Sequence, residues 1–348
     1  MRQLIIPLIF AFFISCKSEI KQKDTSESTA EKSLKGYSMN DSSIRAIEII
    51  TNETVAFAGS NGEIGILSEK DSITFLQFTK YDTITPHFRS LAYVDGIIFA
   101  LAVGNPALLY KVTENSTELV YEEHHEKVFY DSMHFFDALN GIAMGDSING
   151  CLSIITTNDG GNSWSKIPCE KLPSSAVGEN AFAASDTNIS IFQDHVWIAT
   201  GGTKARVFHS SNKGTDWEVF DTPIVQGIET SGIYTIDFYD HLNGIICGGD
   251  FTDKFGDHKN IAVTSDGGTT WKLVENESAP TYVSCVQYIP ESNAKELIAV
   301  STNGVYMSND SGFHWKKVDE EGFYTVRAVN NKSFWLAGAN KIKKLKLP

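Results

Sequence analysis

Arginine is scarce in this chain. Of its 348 residues only five are arginine, whereas 24 are lysine, and the formal net charge at pH 7 is −14. A protein that binds nucleic acid needs a basic surface to neutralise the phosphates. The composition therefore predicts no nucleic-acid partner, and it makes the position of each arginine informative.

Sequence motifs that hold cofactors are also lacking. No G-x-G-x-x-G follows a strand pattern, and neither C-x-x-C nor C-x-x-C-H occurs. Residues 122–126 (Glu-Glu-His-His-Glu) lack the helical spacing of a zinc site and are typical of a solvated edge strand. Asp250, Asp253 and Asp257 share one loop, where Ca²⁺ stays an alternative although the EF-hand spacing is missing. The sequence thus predicts no cofactor and no metal site.

Long hydrophobic runs are absent except at residues 4–14, behind Arg2. This run is too short to cross a membrane as a helix and predicts a signal peptide over residues 1–15. Its end resembles a bacterial lipobox, which implies acylation of Cys16; a plain secreted form is the alternative. Residues 16–38 offer almost nothing to bury and are predicted to be a flexible tether. We therefore expect a protein of the bacterial cell envelope that contacts the membrane only through its lipid anchor.

One octapeptide pattern occurs four times. Each copy has Ser or Thr first, Asp or Asn third, Gly fifth and Trp eighth. The Asp or Asn side chain accepts backbone N–H bonds inside a turn, Gly takes the positive φ, and Trp packs over the turn. The pattern predicts structural hairpin turns that do no chemistry. Their third and eighth residues are Asp159 and Trp164, Asn212 and Trp217, Asp266 and Trp271, and Asp310 and Trp315.

A second, longer repeat contains these turns. Two strand patterns separated by a short turn return seven times, at intervals of about 40 to 50 residues, which is typical of propeller blades. We therefore expect an all-β fold, a seven-bladed β-propeller with four-stranded antiparallel blades, over residues 39–348. In the fourth repeat the inner strand is predicted at residues 180–184 and its neighbour at residues 196–201. Because the last repeat lacks a fourth strand, residues 36–40 are expected to pair with it and close the ring.

The octapeptides resemble the Asp-box repeat of sialidases, sortilin-type receptors and the photosystem II stability/assembly factor family. Further runs strengthen the resemblance to a group of bacterial exported propellers similar to those assembly factors: residues 178–185, 201–208 and 231–250. The resemblance implies a propeller that binds or assembles other molecules. Members of this group often carry the label "oxidoreductase", which implies a redox role that no cofactor motif in the sequence supports.

The arginines outside the signal peptide form the candidate binding site. Arg45, Arg89 and Arg327 share one place in a predicted inner strand, in three repeats that are consecutive around a ring. The same rim is expected to carry Arg206, Asp131, Glu179, Tyr234 and Asp250. Guanidinium suits bidentate recognition of carboxylates, so the sequence predicts one mouth that binds a protein partner or an acidic small molecule or glycan. The alternative is that these arginines are struts paired with rim acids.

We interpret the chain as a monomeric binding or assembly factor without catalytic residues. Enzymes are the alternative class: an oxidoreductase, by the family label, or a sialidase-like glycosidase. A sialidase needs an arginine triad, a Tyr–Glu nucleophile pair and an Asp acid/base, and Tyr234, Glu179 and Asp131 supply the last three residue types. The Arg-Ile-Pro signature of sialidases is absent, because Ala46 follows Arg45.

Four cysteines follow Cys16. Cys151 and Cys169 lie symmetrically about the turn near Gly160, so a disulfide across that hairpin and a pair of buried thiols are both open. Cys247 and Cys285 fall in apolar strand patterns and are predicted to lie in the core.

Overall fold

The computed structural model describes residues 33–70, 72–256, 259–275 and 277–348. These residues form 28 β-strands and one short 3₁₀ helix, Cys169–Lys171. No helix in these ranges is long and apolar enough to span a membrane. The predicted signal peptide, Cys16 and Asp257 lie outside the described residues.

The strands pair with their sequence neighbours into antiparallel sheets that form the blades of a β-propeller. Blade one contains the second half of β1 (Ser33–Thr51), β2 (Thr54–Gly59), β3 (Glu63–Ser68) and β4 (Ser72–Phe78). Blade two contains β5 (Phe88–Val94), β6 (Ile97–Ala102), β7 (Ala107–Val112) and β8 (Thr117–Glu123). Blade three contains β9 (Tyr130–Phe135), β10 (Gly141–Ile148), β11 (Cys151–Thr157) and β12 (Ser165–Lys166).

The second half of the chain continues in the same way. Blade four contains β14 (Ile189–Phe192), β15 (His195–Ala199), β17 (Arg206–Ser210) and β18 (Glu218–Asp221). Two short strands, β13 (Glu179–Asn180) before it and β16 (Gly201–Gly202) between β15 and β17, pair with the sheet of blade five instead. Blade five contains β19 (Ser231–Phe238), β20 (Gly244–Asp250), β21 (Ile261–Thr264) and β22 (Lys272–Leu273). Blade six contains β23 (Cys285–Tyr288), β24 (Leu297–Ser301), β25 (Gly304–Ser308) and β26 (Lys316–Asp319). Blade seven begins with β27 (Thr325–Asn330) and β28 (Ser333–Lys346).

The core lies between the blades. Of the eight buried apolar clusters in the described residues, seven lie between two consecutive blades. Ala46 of blade one packs with Phe88 of blade two, and Trp335 of blade seven packs with Ile44 of blade one. Both faces of the inner strands are therefore buried, which explains their continuous apolar runs. The arrangement agrees with the predicted count of seven blades.

The two ends of the chain close the ring together. Residues 33–38 of β1 pair with residues 341–346 of β28, whose first half pairs with β27. The Leu347 N–H donates to the Lys332 carbonyl (2.8 Å), so the two halves of β28 lie side by side. Closure by an N-terminal strand was predicted, but this strand begins at Ser33, inside the segment 16–38 assigned to the tether.

The four octapeptides form turns between the third and fourth strands of blades three to six. In the first of them, Asp159 accepts hydrogen bonds from the Ser163 N–H (3.0 Å) and the Thr157 hydroxyl (2.8 Å). Asn212, Asp266 and Asp310 accept the corresponding bonds in the other three turns. The indole N–H groups of Trp217, Trp271 and Trp315 donate to the glycine carbonyl of their own turn, whereas Trp164 is buried without a partner among the described residues. The Asp and Asn side chains of the octapeptides thus form their hydrogen bonds within their own turns.

The inner strand of blade four differs from the prediction. It is β14, and residues 181–188, where a strand was expected from Asn180 to Ala184, lie outside any strand. Asn180 instead pairs with Gly201, and Gly201 pairs with Gly232 of blade five. A Cβ on Gly232 would lie 2.4 Å from the Gly201 Cα, so this close approach requires glycine. The extra pairing draws the chain away from blade four before it reaches β14.

Residues 181–188, which we name the channel segment, contact the inner strands of the other six blades. The Asp186 carboxylate accepts the Leu91 N–H of blade two (2.7 Å) and the Met133 N–H of blade three (3.0 Å). The remaining contacts are from Arg45 in blade one to Ala184, from Thr187 to Thr235 in blade five, from Ser185 to Ser284 in blade six, and from Thr325 in blade seven to Ser185. The segment therefore crosses the central channel and separates its two mouths.

The four cysteines of the described residues form one disulfide and two free thiols. Cys151 of β11 and Cys169 of the 3₁₀ helix are joined by a disulfide, with their Cα atoms 5.7 Å apart. Cys247 and Cys285 are free and buried in the inter-blade cores.

A candidate binding mouth at one end of the channel

A β-bulge near the start of the inner strand recurs in four blades. Its extra residue is Arg45 in blade one, Arg89 in blade two, Asp131 in blade three and Tyr234 in blade five. A bulge re-aims the side chain of its extra residue and is frequent next to binding sites. We name this position the bulge slot. Arg45, Arg89 and Tyr234 line one cavity of about 450 Å³, the upper mouth, whose floor is residues 181–184 of the channel segment.

The two arginines of the upper mouth lie side by side without a carboxylate in ion-pair contact. Arg45 donates to the Ala184 carbonyl (2.8 Å) and its guanidinium lies 4.0 Å from the centre of the Tyr324 ring. Arg89 donates to the Ala183 carbonyl (3.4 Å) and to His87 (3.2 Å). Among the described residues neither guanidinium forms an ion pair, so the channel segment orients both cations and leaves their charge unpaired.

Burial and mutual repulsion govern the electrostatics of this pair. Desolvation, followed by the charge of Arg45, lowers the pKa of Arg89 to about 10, so both arginines stay protonated at neutral pH. Desolvation together with both arginines lowers the pKa of His87 to about 4. His87 is therefore neutral and accepts the hydrogen bond from Arg89. The upper mouth holds a field that favours an anion.

Two acids lie near the arginines but offset only part of their charge. Burial raises the pKa of Asp146, which lines the cavity and accepts the Ala181 N–H (3.0 Å), to about 6. Asp131 is fully buried, and neither of its oxygens has a hydrogen-bond partner of normal geometry among the described residues. Burial, and next the charge of Asp146, raise the pKa of Asp131 well above its usual value. Burial thus disfavours the charged form of Asp131, although the charge of Arg89 favours it.

Aromatic rings form the walls of the upper mouth. Tyr234 stacks edge-on against Phe182 with ring centres 4.3 Å apart, and its hydroxyl donates to the Thr230 carbonyl. The same hydroxyl accepts the Phe251 N–H (3.1 Å), so two hydrogen bonds hold the hydroxyl end of the ring. The walls are completed by Phe129, Tyr282 and Tyr324. Rigid aromatic rings around two cations suit a partner that carries both an acidic and an apolar group.

Two other predicted rim residues are occupied with each other. Arg206 forms two hydrogen bonds to the fully buried Glu179, from Nε (2.9 Å) and Nη2 (2.5 Å). Glu179 also accepts the Thr200 hydroxyl and the Ala176 N–H, each at 2.7 Å. Neither residue lines the upper mouth, and the pair has the geometry of a structural strut. Asp250, at the end of β20, binds the Thr252 N–H (2.8 Å) and also lies outside this cavity.

Arg327 does not lie with Arg45 and Arg89, which corrects the predicted alignment. In blade seven the residue beside them is Tyr324, whose N–H donates to the Ala337 carbonyl, and Arg327 follows three residues later. Arg327 is buried, forms an ion pair with Glu48 (2.9 Å) and lines a different cavity on the other side of the channel segment. The arginine cluster of the upper mouth therefore has two members.

The residue set expected for a sialidase is not assembled. Tyr234 donates to Thr230 and Glu179 binds Arg206, so the two do not form a hydrogen-bonded pair. Within the described ranges no group of three or more His, Cys, Asp or Glu side chains is arranged to hold a metal ion. Asp146, Tyr282 and Tyr324, to which the sequence patterns had given no role, belong to the mouth instead. No sequence pattern marked Tyr324, which precedes β27.

Comparison with known proteins gives the fold. No family model matches the chain, and no curated protein matches it. Solved structures do. "YCF48 bound to D1 peptide" has a TM-score of 0.64 at 12% identity and covers 91% of this chain and 95% of its own. "Structure of U3-55K" has a TM-score of 0.63 at 12% identity, covering 90% and 98%. "Crystal structure of RRP9 WD40 repeats" has a TM-score of 0.64 at 11% identity, covering 91% and 100%. At these identities the likeness shows that the chain is a β-propeller.

Proposed function

We propose that this protein is a binding or assembly factor whose upper mouth recognises an acidic group of a protein partner. The observation that carries the proposal is the pair of unpaired guanidinium groups, Arg45 and Arg89, oriented by channel-segment carbonyls inside an aromatic cavity. Buried cations normally have a counter-ion, so a site that presents two without one favours an anionic ligand. A carboxylate fits the planar fork of arginine.

The proposed partner is a peptide segment with a carboxylate beside an apolar side chain. The carboxylate binds Arg45 and Arg89, and the apolar side chain packs on Tyr234 and Phe182. The similar structure of YCF48 is that of a propeller with a bound peptide, which supports the choice of a peptide over a free anion. We further propose that the four octapeptide turns are Asp-boxes with a purely structural role.

Anchoring in the envelope is part of the proposal. Acylation at Cys16 would leave residues 17–32 as the connection between the membrane and β1, which starts at Ser33. Cys16→Ser should then release the protein from membranes, and a labelled fatty acid should mark only the parent protein. An unlabelled parent protein in the soluble fraction would contradict the anchor without affecting the binding site.

The binding site is tested with an array of short peptides in which each acidic peptide has an amide twin, Asp replaced by Asn or Glu by Gln. We expect the protein to prefer acidic peptides and the combined variant Arg45→Met with Arg89→Met to lose at least about tenfold in affinity, because two charge-assisted contacts are removed. Arg206→Met with Glu179→Gln is the matched control, since that pair lies outside the cavity, and it should bind as the parent does. Equal binding of acidic and amide peptides would refute the proposal. A separate incubation with a sialoside tests for hydrolysis, and turnover would favour an enzyme.

A further inference from the structure

The inner strands carry a second inward-facing position, three residues after the bulge slot. Because the bulge adds one residue to an alternation of two, the third residue after it faces the channel again. In blade seven this position is Arg327, three residues after Tyr324. Around the ring from blade one to blade seven its occupants are Glu48, Ala92, His134, Ser190, Asp237, Gln287 and Arg327. Six of the seven are polar.

These six polar residues, which we name the polar ring, meet at one place. All of them line a single cavity of about 370 Å³, the lower mouth, on the opposite side of the channel segment from Arg45 and Arg89. This volume is within the range of small-ligand pockets, about 300–1,000 Å³. Phe135 and Phe136 add apolar faces to its wall. The lower mouth thus draws one polar side chain from each of six blades.

Arg327 is fixed in the polar ring with one nitrogen left over. Its Nε donates to Glu48 (2.9 Å), and its Nη1 donates to the Thr325 hydroxyl and to the Val326 carbonyl, both at 3.0 Å. Nη2 is buried and has no hydrogen-bond partner among the described residues. Arg327 is 3% exposed and lines the cavity, but Nη2 has almost no accessible surface and does not border it.

Other members of the polar ring also keep unused capacity. His134 Nε2 lies 3.0 Å from the Asp186 carbonyl, to which it can only donate, so Nδ1 remains an acceptor. The side-chain carbonyl of Gln287 accepts the Ala328 N–H (3.0 Å), and its amide nitrogen has no partner in the described part of the chain. The cavity therefore offers a donor from Gln287 and an acceptor from His134, beside the Arg327–Glu48 ion pair.

The charges of the lower mouth nearly cancel. Glu48 and Arg327 neutralise each other as an ion pair. Burial lowers the pKa of His134, which is neutral, and burial raises the pKa of Asp237 to about 7. Unlike the upper mouth, this cavity has no net cation to attract an acid and no strong anion to attract a base. Its mixture of donors and acceptors suits a neutral molecule with several hydroxyl groups, each of which can donate and accept.

From this arrangement we propose that the lower mouth is a second binding site, for a neutral, hydroxyl-rich small molecule of the size of a monosaccharide. Its hydroxyl groups accept from the Gln287 amide and donate to His134 Nδ1, and its apolar face packs on Phe135. The proposal is independent of the peptide site at the upper mouth, because the two sites share no lining side chain.

The test measures binding of neutral hexoses (glucose, galactose and mannose) by saturation-transfer NMR and calorimetry, with glucuronate and glucosamine as charged counterparts. We expect a neutral hexose to bind, and the combined variant Glu48→Leu with Arg327→Met to lose at least about tenfold in affinity. This variant removes both members of the ion pair, which leaves no charge alone in the cavity and should preserve the fold. Gln287→Leu, which leaves the ion pair in place, should weaken the same binding.

Two controls separate this site from the rest of the molecule. Arg45→Met with Arg89→Met and Arg206→Met with Glu179→Gln should both bind the hexose as the parent does. The proposal fails if no neutral hexose binds at millimolar concentrations, if only a charged counterpart binds, or if hexose binding survives in both lower-mouth variants. Loss of peptide binding in the arginine variant, with hexose binding intact, would leave this site standing whatever the upper mouth recognises.

Discussion

The two mouths of the channel are lined by positions three residues apart on the same inner strands. Their arginines differ in whether they have a counter-ion. In the upper mouth Arg45 and Arg89 bind only carbonyl groups, a neutral histidine and an aromatic ring. In the lower mouth Arg327 is held by Glu48 and by two oxygens of its own strand. Among the described residues the upper pair has no counter-ion, whereas the charge of Arg327 is neutralised by Glu48.

This difference shows that residue type alone does not define a recognition site in a propeller. The channel segment is what separates the two environments, because its carbonyl groups face Arg45 and Arg89 while its Asp186 carbonyl accepts from His134 on the other side. The channel segment therefore gives a single ring of blades two chemically distinct cavities. Arg206 and Arg327 form ion pairs, as expected of struts, whereas Arg45 and Arg89 form none and are the proposed ligand contacts.

The largest effect is expected on stability, at Arg327 in the lower mouth. Arg327→Met should lower the free energy of unfolding by about 3 kcal/mol, because it leaves Glu48 without its counter-ion, and breaking a buried pair typically costs about 3–5 kcal/mol. The lower end applies since Glu48 is 24% exposed. Urea unfolding measures the loss. Glu48→Leu with Arg327→Met should recover most of it, and an unstable double variant would show that the guanidinium is needed for its other bonds.

A smaller effect is expected from pH at the upper mouth. The pKa of Asp146 is raised by burial to about 6, so it is mainly ionised at pH 7 and mainly protonated at pH 5. Protonation removes the negative charge that opposes the arginines, while a ligand carboxylate with an ordinary pKa of about 4 stays ionised. Affinity for an acidic peptide should therefore rise by about fivefold from pH 7 to pH 5, which corresponds to about 1 kcal/mol of Coulomb energy.

The control for this pH effect is Asp146→Asn, which keeps a side-chain oxygen for the Ala181 N–H. In this variant the affinity for the acidic peptide should already be high at pH 7 and should change little down to pH 5. Hexose binding at the lower mouth should be the same in the parent and the variant, because Asp146 lines only the upper mouth. A pH dependence that persists in Asp146→Asn would assign it to another group.

Much of the fold could be predicted from the sequence because its repeats are local. The octapeptides form turns through contacts within eight residues, and the inner strands are continuous apolar runs. The inner strand of blade four could not be found this way. Residues 181–184 are as apolar as a strand, but the pairing of Gly201 with Gly232, 31 residues away, directs them into the channel. Sequence periodicity does not record such a contact.

The candidate site was predicted in part for a related reason. Arg45 and Arg89 were placed together correctly, since their strands start alike. Arg327 also follows an apolar residue near the start of a strand, but Tyr324, three residues earlier, lines the upper mouth with Arg45. An inserted residue shifts every later position by one, so an alignment by strand starts cannot distinguish the slot from the polar ring. The acids Asp131 and Asp146 gain their roles from burial, which composition does not show.

The smallest change in stability should come from Arg89→Lys. Lysine keeps the positive charge and can still donate to the Ala183 carbonyl, so the free energy of unfolding should change by less than about 0.5 kcal/mol. Lysine lacks the planar fork that binds both oxygens of a carboxylate, so the affinity for an acidic peptide should fall by about tenfold. The conservative counterpart in the lower mouth, Arg327→Lys, loses bonds from Nε and Nη1 at once and should be clearly less stable. Equal stability losses in the two lysine variants would mean that Arg89 is a strut like Arg327. The arginines of both mouths would then have a structural role.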